Sequence, residues 1–300
     1  MPGGLKKVAR ELLTSLPVVS HLFYKWYRYR SGMNDKVLRS HIQHCGHTID
    51  LRCGNNESLP VATVREMEFL LREAGRRNLA IDEPLRWAIE QFARARYGLR
   101  IEPMESAGES GGLGGGSADQ AVLARVIRER RSVRNWTAEG VDFNDIRDSI
   151  DVAKWAPSSC NRQLWHVLLI QREEEKEAIS GYFPNVFYVK APLLALVLME
   201  TSGYGQSDRH FVYLDGGAFI QNLLLILHAK GYGACWLGFK GWDCMGNVHF
   251  PAEKRDAFYA HFGLTPNLVP ISMIAVGKPA KVPQAPPRQG LDQIVLRDKA

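Results

Sequence analysis

The chain has 300 residues, 45% of them hydrophobic and 23% charged. That balance excludes a disordered, collagen-like or fibrous protein. The length suggests about two domains and is enough to bury a core without covalent staples. Five cysteines are too few for a disulfide scaffold. Their odd number leaves at least one thiol unpaired within the chain, which favours a reducing compartment. The net charge of +6 is concentrated in residues 1–103, with 17 Lys/Arg against 11 Asp/Glu. An excess of this size is ordinary for a globular domain, so no nucleic-acid partner is expected. No apolar stretch follows Met1–Lys7, and the longest apolar run, 191–199, has nine residues. A membrane-spanning helix needs about 20. A cytoplasmic location is expected.

In chain order, Leu5, Val8, Leu12, Leu16, Val19, Phe23 and Trp26 repeat at helical spacing, with Pro17 as a break. Residues 21–30 interleave aromatic and basic side chains. They suit an acidic membrane surface, but packing against the rest of the chain is the weightier reading. His41, His44, Cys45, His47 and Cys53 follow. On a helix His41, His44 and Cys45 share a face. Their spacing fits no standard zinc motif, Gly46 is expected to end the helix, and no metal site is expected. Further helices are predicted over 61–71 and 84–97, the second stopped by Gly98.

Six glycines and three serines in residues 104–117 give a stretch with large backbone entropy, a flexible tether. It separates an N-terminal helical region, 1–103, from a larger domain, 118–300. There the pattern predicts a helix over 119–130 and a helix capped by Asp142 and stopped by Pro157. It goes on with a strand over 165–171, a helix over 173–181, a buried strand over 193–199 and a long helix over 208–230. A strand over 234–239, a helix over 252–262 and a strand over 271–276 complete it. Interleaved helices and strands predict an α/β or α+β domain.

Three segments carry chemistry. In Arg128–Arg134, several arginines and Ser132 crowd a helix end. Guanidinium forks and a hydroxyl suit phosphate oxygens, although basic residues at a helix C-terminus are also favoured by the dipole alone. In Ala156–Trp165, two serines, an asparagine and a glutamine lie within six residues. Such a loop reads the polar edge of a heterocycle or is a plain serine-rich turn. The third, Asp215–Gly238, is a helix apolar nearly all round that turns through Gly231 and Gly233 into a strand. Gly216 and Gly217 each cost a helix roughly 1 kcal/mol, which makes sense where a helix or a cofactor approaches closely.

These segments resemble, in order and spacing, the FMN-dependent nitroreductase family. The likeness rests on Arg130–Arg134, Ala156–Trp165, Asp215–Gly217, Gly231–Cys235, Gly277–Pro279 and Arg288, and covers about 120–300. It implies an α+β fold, a central mixed sheet flanked by helices in an intertwined homodimer. It also implies FMN at the interface, held by Arg130, Arg131, Ser132 and Arg134 and closed by Arg288. Pro157, Ser158 and Ser159 would line the flavin from the partner subunit, with Asn161 and Gln163 beside it. The backbone of Cys235, Trp236, Leu237 and Gly238 would approach the ring. The implied activity passes electrons in two steps from NADH or NADPH to a small organic acceptor such as a nitroaromatic or quinone. The flavin would carry the chemistry, and no catalytic side chain is nominated. Substrate choice would lie in the stretch 173–210, where Tyr182, Phe183, Phe187, Tyr188 and Tyr204 either stack on a planar substrate or form core. The N-terminal region is weakly similar to that of a bacterial subgroup linked with polysaccharide genes, whose His-x-x-Glu-Lys-Gly-Leu element survives here as His41 and Gly46. The alternative is a flavin-binding scaffold with little turnover that acts through residues 1–103.

Overall fold

The computed structural model describes residues 33–54, 58–98, 116–183, 187–245, 247 and 249–295. The expectations for Leu5–Trp26, for 21–30 and for residues 104–115 of the tether lie outside them. The chain divides into two compact units, Met1–Met104 with Cys160–Leu164, and Glu105–Ser159 with Trp165–Ala300.

The first unit contains helices α1 (Asp35–Gly54), α2 (Val61–Arg76) and α3 (Glu83–Tyr97). At the start of α3, the Asp82 carboxylate accepts the Leu85 N–H at 3.2 Å, and Pro84 needs no partner in the first turn. At its end, Gly98 takes φ +63° and its N–H donates to the Arg94 carbonyl, the left-handed stop that favours glycine. The core is built from Leu38, Ile42 and Ile49 of α1, Met67 and Leu70 of α2, and Leu85, Ala88 and Phe92 of α3. On α2, Glu73 takes bonds from Arg76 and Arg77 at 2.7 Å, which hold its carboxyl at about 2. What this partly exposed cluster adds to stability is complete above the ordinary glutamate range and is lost as the pH falls through about 2.

Gly46 does not end α1, as its sequence context suggested. It lies inside the helix, where a Cβ would stand 2.5 Å from the Ala88 Cβ and 2.6 Å from the Ala88 Cα. A missing side chain is what lets α1 and α3 cross there. Gly46→Ala therefore overpacks the crossing, at a cost of about 1–3 kcal/mol that outweighs the gain in helix propensity. A lower urea midpoint for this variant is the expected result, and an unchanged or higher midpoint would show that the crossing opens without cost.

The second unit is the α+β domain. It contains α4 (Ser117–Glu129), α5 (Phe143–Ala153), β1 (Trp165–Ile170), α6 (Glu173–Ser180) and β2 (Leu193–Glu200). It continues through α7 (Phe211–Ala229), β3 (Gly233–Gly238), α8 (Ala252–Phe262), β4 (Leu268–Gly277) and α9 (Leu291–Ile294). Asp142 caps α5 as its position predicts, accepting from the Asn144 N–H at 2.8 Å. The strands form one sheet in the order β1-β2-β4-β3, paired antiparallel throughout. A lone parallel bridge joins Ser132 to Ala234. All eight residues of β2 are buried, which is why Leu193–Met199 form an unbroken apolar run, closed by the buried Glu200.

β4 begins three residues before the pattern predicts, at Leu268, and Pro270 sits within it. Val197 pairs with Ser272 and Leu198 with Pro270, so Ile271 is the extra residue of a bulge. The bulge is what accommodates a proline, which has no N–H for the ladder, in a central strand. Ile271 meets α7 at Gly216, where a Cβ would lie 2.2 Å from the Ile271 Cδ1 and 3.2 Å from the Met199 Sδ. Gly217 has open space instead. The close approach expected at this glycine pair is thus made by the sheet, and at Gly216 alone.

α7 is long and apolar enough to cross a membrane, but eight of its residues, Phe219, Ile220 and Leu223 among them, are buried inside the unit. At its far end Lys230 pairs with Asp145 at 2.9 Å and Asp148 at 3.3 Å. Tyr232 donates its hydroxyl to Asp145 at 3.0 Å. Lys230 and then Tyr232 hold the Asp145 carboxyl below the usual carboxylate range. Tyr182, Phe183, Tyr188 and Tyr204 are buried. Tyr182 packs edge-on against Trp242, Phe250 and Phe258. These four aromatics are core. Phe187 differs, stacked 6.3 Å from Trp136 with the Arg134 guanidinium 6.0 Å from its ring.

Candidate functional site

The segment after α4 laces along the sheet. The Val133 N–H donates to the Ala234 carbonyl at 3.0 Å, Thr137 to Lys278 at 2.9 Å, and Ala280 to Asn135 at 3.0 Å. The Trp136 indole donates to the Gly233 carbonyl at 2.8 Å. A Cβ on Gly233 would lie 2.8 Å from the Val133 side chain, so this glycine is what lets the segment sit against β3. Side chains alternate along extended chain. With Val133 turned in on Gly233, Ser132 and Arg134 are carried on the other side.

The arginines divide by role. Arg131 folds back and donates to the carbonyls of Arg128 and Arg130, where a cation is favoured at the end of α4. Arg134 donates to the Ser132 carbonyl at 3.3 Å. Arg130 is half-buried, and burial followed by the charges of Arg131 and Arg288 lowers its guanidinium pKa. Among the described residues, no carboxylate lies within ion-pair distance of Arg130, Arg131, Arg134 or Arg288. Like charges are thus held close with no counter-ion among the described residues. An anion between Arg130 and Arg288 would remove that repulsion.

β3 forms the adjoining wall. It is the end strand of the sheet, and beyond Ala234 its outer edge pairs with no strand among the described residues. Trp236 is exposed, Leu237 is buried, and Gly238 has open space where a Cβ would stand. The Leu237 carbonyl is engaged by the Ser272 hydroxyl at 2.6 Å. Burial pushes the Cys235 thiol up, against the opposing pull of Arg134 and Arg130, so Cys235 is held as a neutral thiol. Neutral-pH alkylation should reach exposed Cys53 first and leave Cys45, Cys235 and Cys244, all buried, protected. Early labelling of Cys235, read by peptide mass spectrometry, would contradict the burial of β3.

Pro157, Ser158 and Ser159 form the turn after α5, and one carboxylate holds its end. The Asp215 Oδ1 accepts the Ser159 N–H at 2.9 Å, and the Asp215 Oδ2 accepts the Tyr204 hydroxyl at 2.7 Å. Asp215 is 4% exposed. A buried carboxylate needs such donors, and it fixes the serine turn to α7. In the sequence Asp215 stands out only as the first residue of the third segment and of a family motif, with no role of its own. A lone acid in a helix apolar on every side was the signal for this positioning role.

Asn161 and Gln163 belong to the first unit. Cys160, Asn161 and Gln163 take φ of +53°, +52° and +50°. For Cys160 and Gln163 this left-handed backbone costs about 1–2 kcal/mol each, while the short amide of Asn161 tolerates it better. The Gln163 amide donates to the Asn161 side chain at 3.0 Å. Among the described residues, His41, His44, Cys45, His47 and Cys53 included, no group of three or more His, Cys, Asp or Glu side chains is placed to share a metal ion.

An antiparallel sheet with an arginine-rich segment laced to its edge, beside a core helix, defines the class of domain. The sequence model of the Nitroreductase family matches residues 127–187 and 183–278, and the chain belongs to that family. A Methanothermobacter thermautotrophicus protein named "Putative NADH dehydrogenase/NAD(P)H nitroreductase" is 27% identical over 169 residues, which span 56% of this chain and 83% of that protein. The iodotyrosine deiodinase of Thermotoga neapolitana is 29% identical over 139 residues, 38% of this chain and 72% of the relative. The fold is shared with the crystal structure of a nitroreductase family protein from Streptococcus pneumoniae. There the TM-score is 0.50 at 17% identity, covering 59% of this chain and all of the other.

Proposed function

We propose that the protein is an FMN-dependent oxidoreductase that takes electrons from NADH or NADPH and passes them to a small organic acceptor, working as a cytoplasmic homodimer. The observation that carries this reading is the crowding of Arg130, Arg131 and Arg288 with no carboxylate partner among the described residues. A dianionic phosphate supplies the missing counter-charge, and Ser132 adds a hydroxyl donor. Arg134 would meet the ribityl chain or the pyrimidine edge. The open edge of β3 from Cys235 to Gly238 would present backbone to the ring, where Gly238 leaves room for close approach. Pro157, Ser158 and Ser159 would line a flavin in the dimer from the partner chain. For Asn161 and Gln163 the support is their place in the Ala156–Trp165 motif.

FMN, when bound, supplies the two-electron transfer itself. The chain binds and orients. Asp215 fixes the serine turn, Val133 against Gly233 sets the depth of the arginine segment, and neutral Cys235 adds no competing charge at the wall. No side chain here is assigned proton transfer.

The purified protein should be a dimer carrying up to one FMN per chain, measured by light scattering and by flavin absorbance after denaturation. A monomer that stays colourless after soaking in FMN would refute the reading.

A further inference from the structure

Ser272 is the one polar side chain of β4. It is 2% exposed, and Met273, Ile274, Ala275 and Val276 are buried after it. A hydroxyl kept in such surroundings needs a partner. The partner is the main chain of the next strand, since the Ser272 Oγ donates to the Leu237 carbonyl at 2.6 Å. An extra residue in one strand turns the side chains beyond it to the opposite face. Ser272 directly follows the bulge at Ile271, so the device that admits Pro270 also sets the face on which this hydroxyl stands.

The bonded carbonyl matters for what shares its peptide. The register sets Leu237 opposite Met273 and Gly238 opposite Ser272. The Ala234 carbonyl faces the other way, outward, where it accepts the Val133 N–H. Main-chain groups alternate sides along a strand. Trp236 and Gly238, in step with Ala234, therefore turn their N–H groups to the outer edge of β3. The Leu237 carbonyl and the Gly238 N–H are the two ends of one planar peptide unit. A bond donated to the carbonyl polarises that unit and strengthens its N–H as a donor, by on the order of 10–30%. That N–H leaves the sheet beside a position with no Cβ and open space.

We propose that Ser272 tunes the flavin from one peptide away: its hydroxyl holds the Leu237–Gly238 peptide and strengthens the Gly238 N–H as a donor to the ring, which favours the reduced form. The role rests on the reading of β3 as the wall that meets the ring. Ser272 touches neither ring nor substrate and is a positioning residue. Reduction adds negative charge to the ring, and a preorganised donor is worth most where charge develops.

The midpoint potential of the flavin in the FMN-loaded full chain tests it, measured against a reference dye under chemical reduction so that no nicotinamide is needed. Ser272→Ala should weaken the preference for reduced over oxidised FMN about two- to tenfold, a fall of about 10–30 mV in a two-electron couple. Ser272→Thr keeps the hydroxyl and should hold the potential of the parent chain. Should Ser272→Ala not fold, Ser272→Cys, with its weak thiol donor, should shift the potential in the same direction. Ser149→Ala removes another buried hydroxyl of the same unit, which donates to the Asp145 carbonyl at 2.6 Å, and should leave the potential as it was. A loosened strand alone would weaken both redox forms of FMN alike and not move the potential. An unmoved or raised potential in folded, FMN-loaded Ser272→Ala or Ser272→Cys would overturn the role of Ser272 while the flavin reading stood. So would a Ser272→Thr potential as low as that of Ser272→Ala, or an equal fall in Ser149→Ala. A parent chain that binds no FMN would instead overturn the reading of the site, and this role with it.

Discussion

Replacing Arg130 or Arg288 with alanine is expected to weaken FMN binding by about 10- to 100-fold while leaving riboflavin affinity unchanged. Arg130 is half-buried, and after burial the charges of Arg131 and Arg288 lower its guanidinium pKa. A phosphate placed there gains charge-assisted bonds of about 1.5–3 kcal/mol apiece. It also offsets the repulsion between Arg130 and the cations Arg131 and Arg288. Riboflavin shares the ring and the ribityl chain but lacks the phosphate, so it senses neither effect. Arg131→Ala should matter less, because that guanidinium is engaged by the carbonyls of Arg128 and Arg130. Fluorescence titrations of the two ligands against the three variants decide the matter. Equal losses for FMN and riboflavin would show that these arginines hold something other than phosphate.

The second large effect concerns stability. Asp215→Ala removes the acceptor of both the Ser159 N–H and the buried Tyr204 hydroxyl. Each donor left without an acceptor costs about 1–3 kcal/mol, so a loss of roughly 2–5 kcal/mol is expected in chemical denaturation. Because the same carboxylate positions the serine turn, flavin affinity should fall as well. Asp215→Asn keeps one carbonyl acceptor and should recover part of the stability. A fully stable Asp215→Ala variant would mean that water replaces the carboxylate without cost.

Much of the fold was legible because its elements carry strong local signals. The Asp142 cap, the Gly98 stop and the unbroken apolar run of β2 each follow from one or two residues whose chemistry permits little else. α1 was not legible as a helix of 20 residues. Its buried face includes Ser40, His41 and Gln43, so polar residues interrupt the apolar stripe that periodicity detects. Gly46 looked like a terminator because a glycine required at a helix crossing and one required at a helix end are the same letter. Pro270 hid the first turn of β4 for a related reason, since only the bulge at Ile271 makes a proline admissible there.

The candidate site was legible where it is local. Arg130, Ser132 and Arg134 fall within five residues, and the structure adds Arg288 to them from more than 150 residues away. The role of Arg131 required its contacts, because a helix-end cation and a phosphate ligand have the same sequence signature.

The central claim is that the chain moves electrons from a nicotinamide through FMN. Its most direct test is anaerobic addition of NADH, and separately NADPH, to the FMN-loaded protein while the flavin absorbance is followed. The account predicts bleaching of the visible flavin bands by at least one donor, and their return when a nitroaromatic or quinone is added. Flavin bands that stay unchanged with both donors would contradict it and leave a flavin-binding protein without turnover.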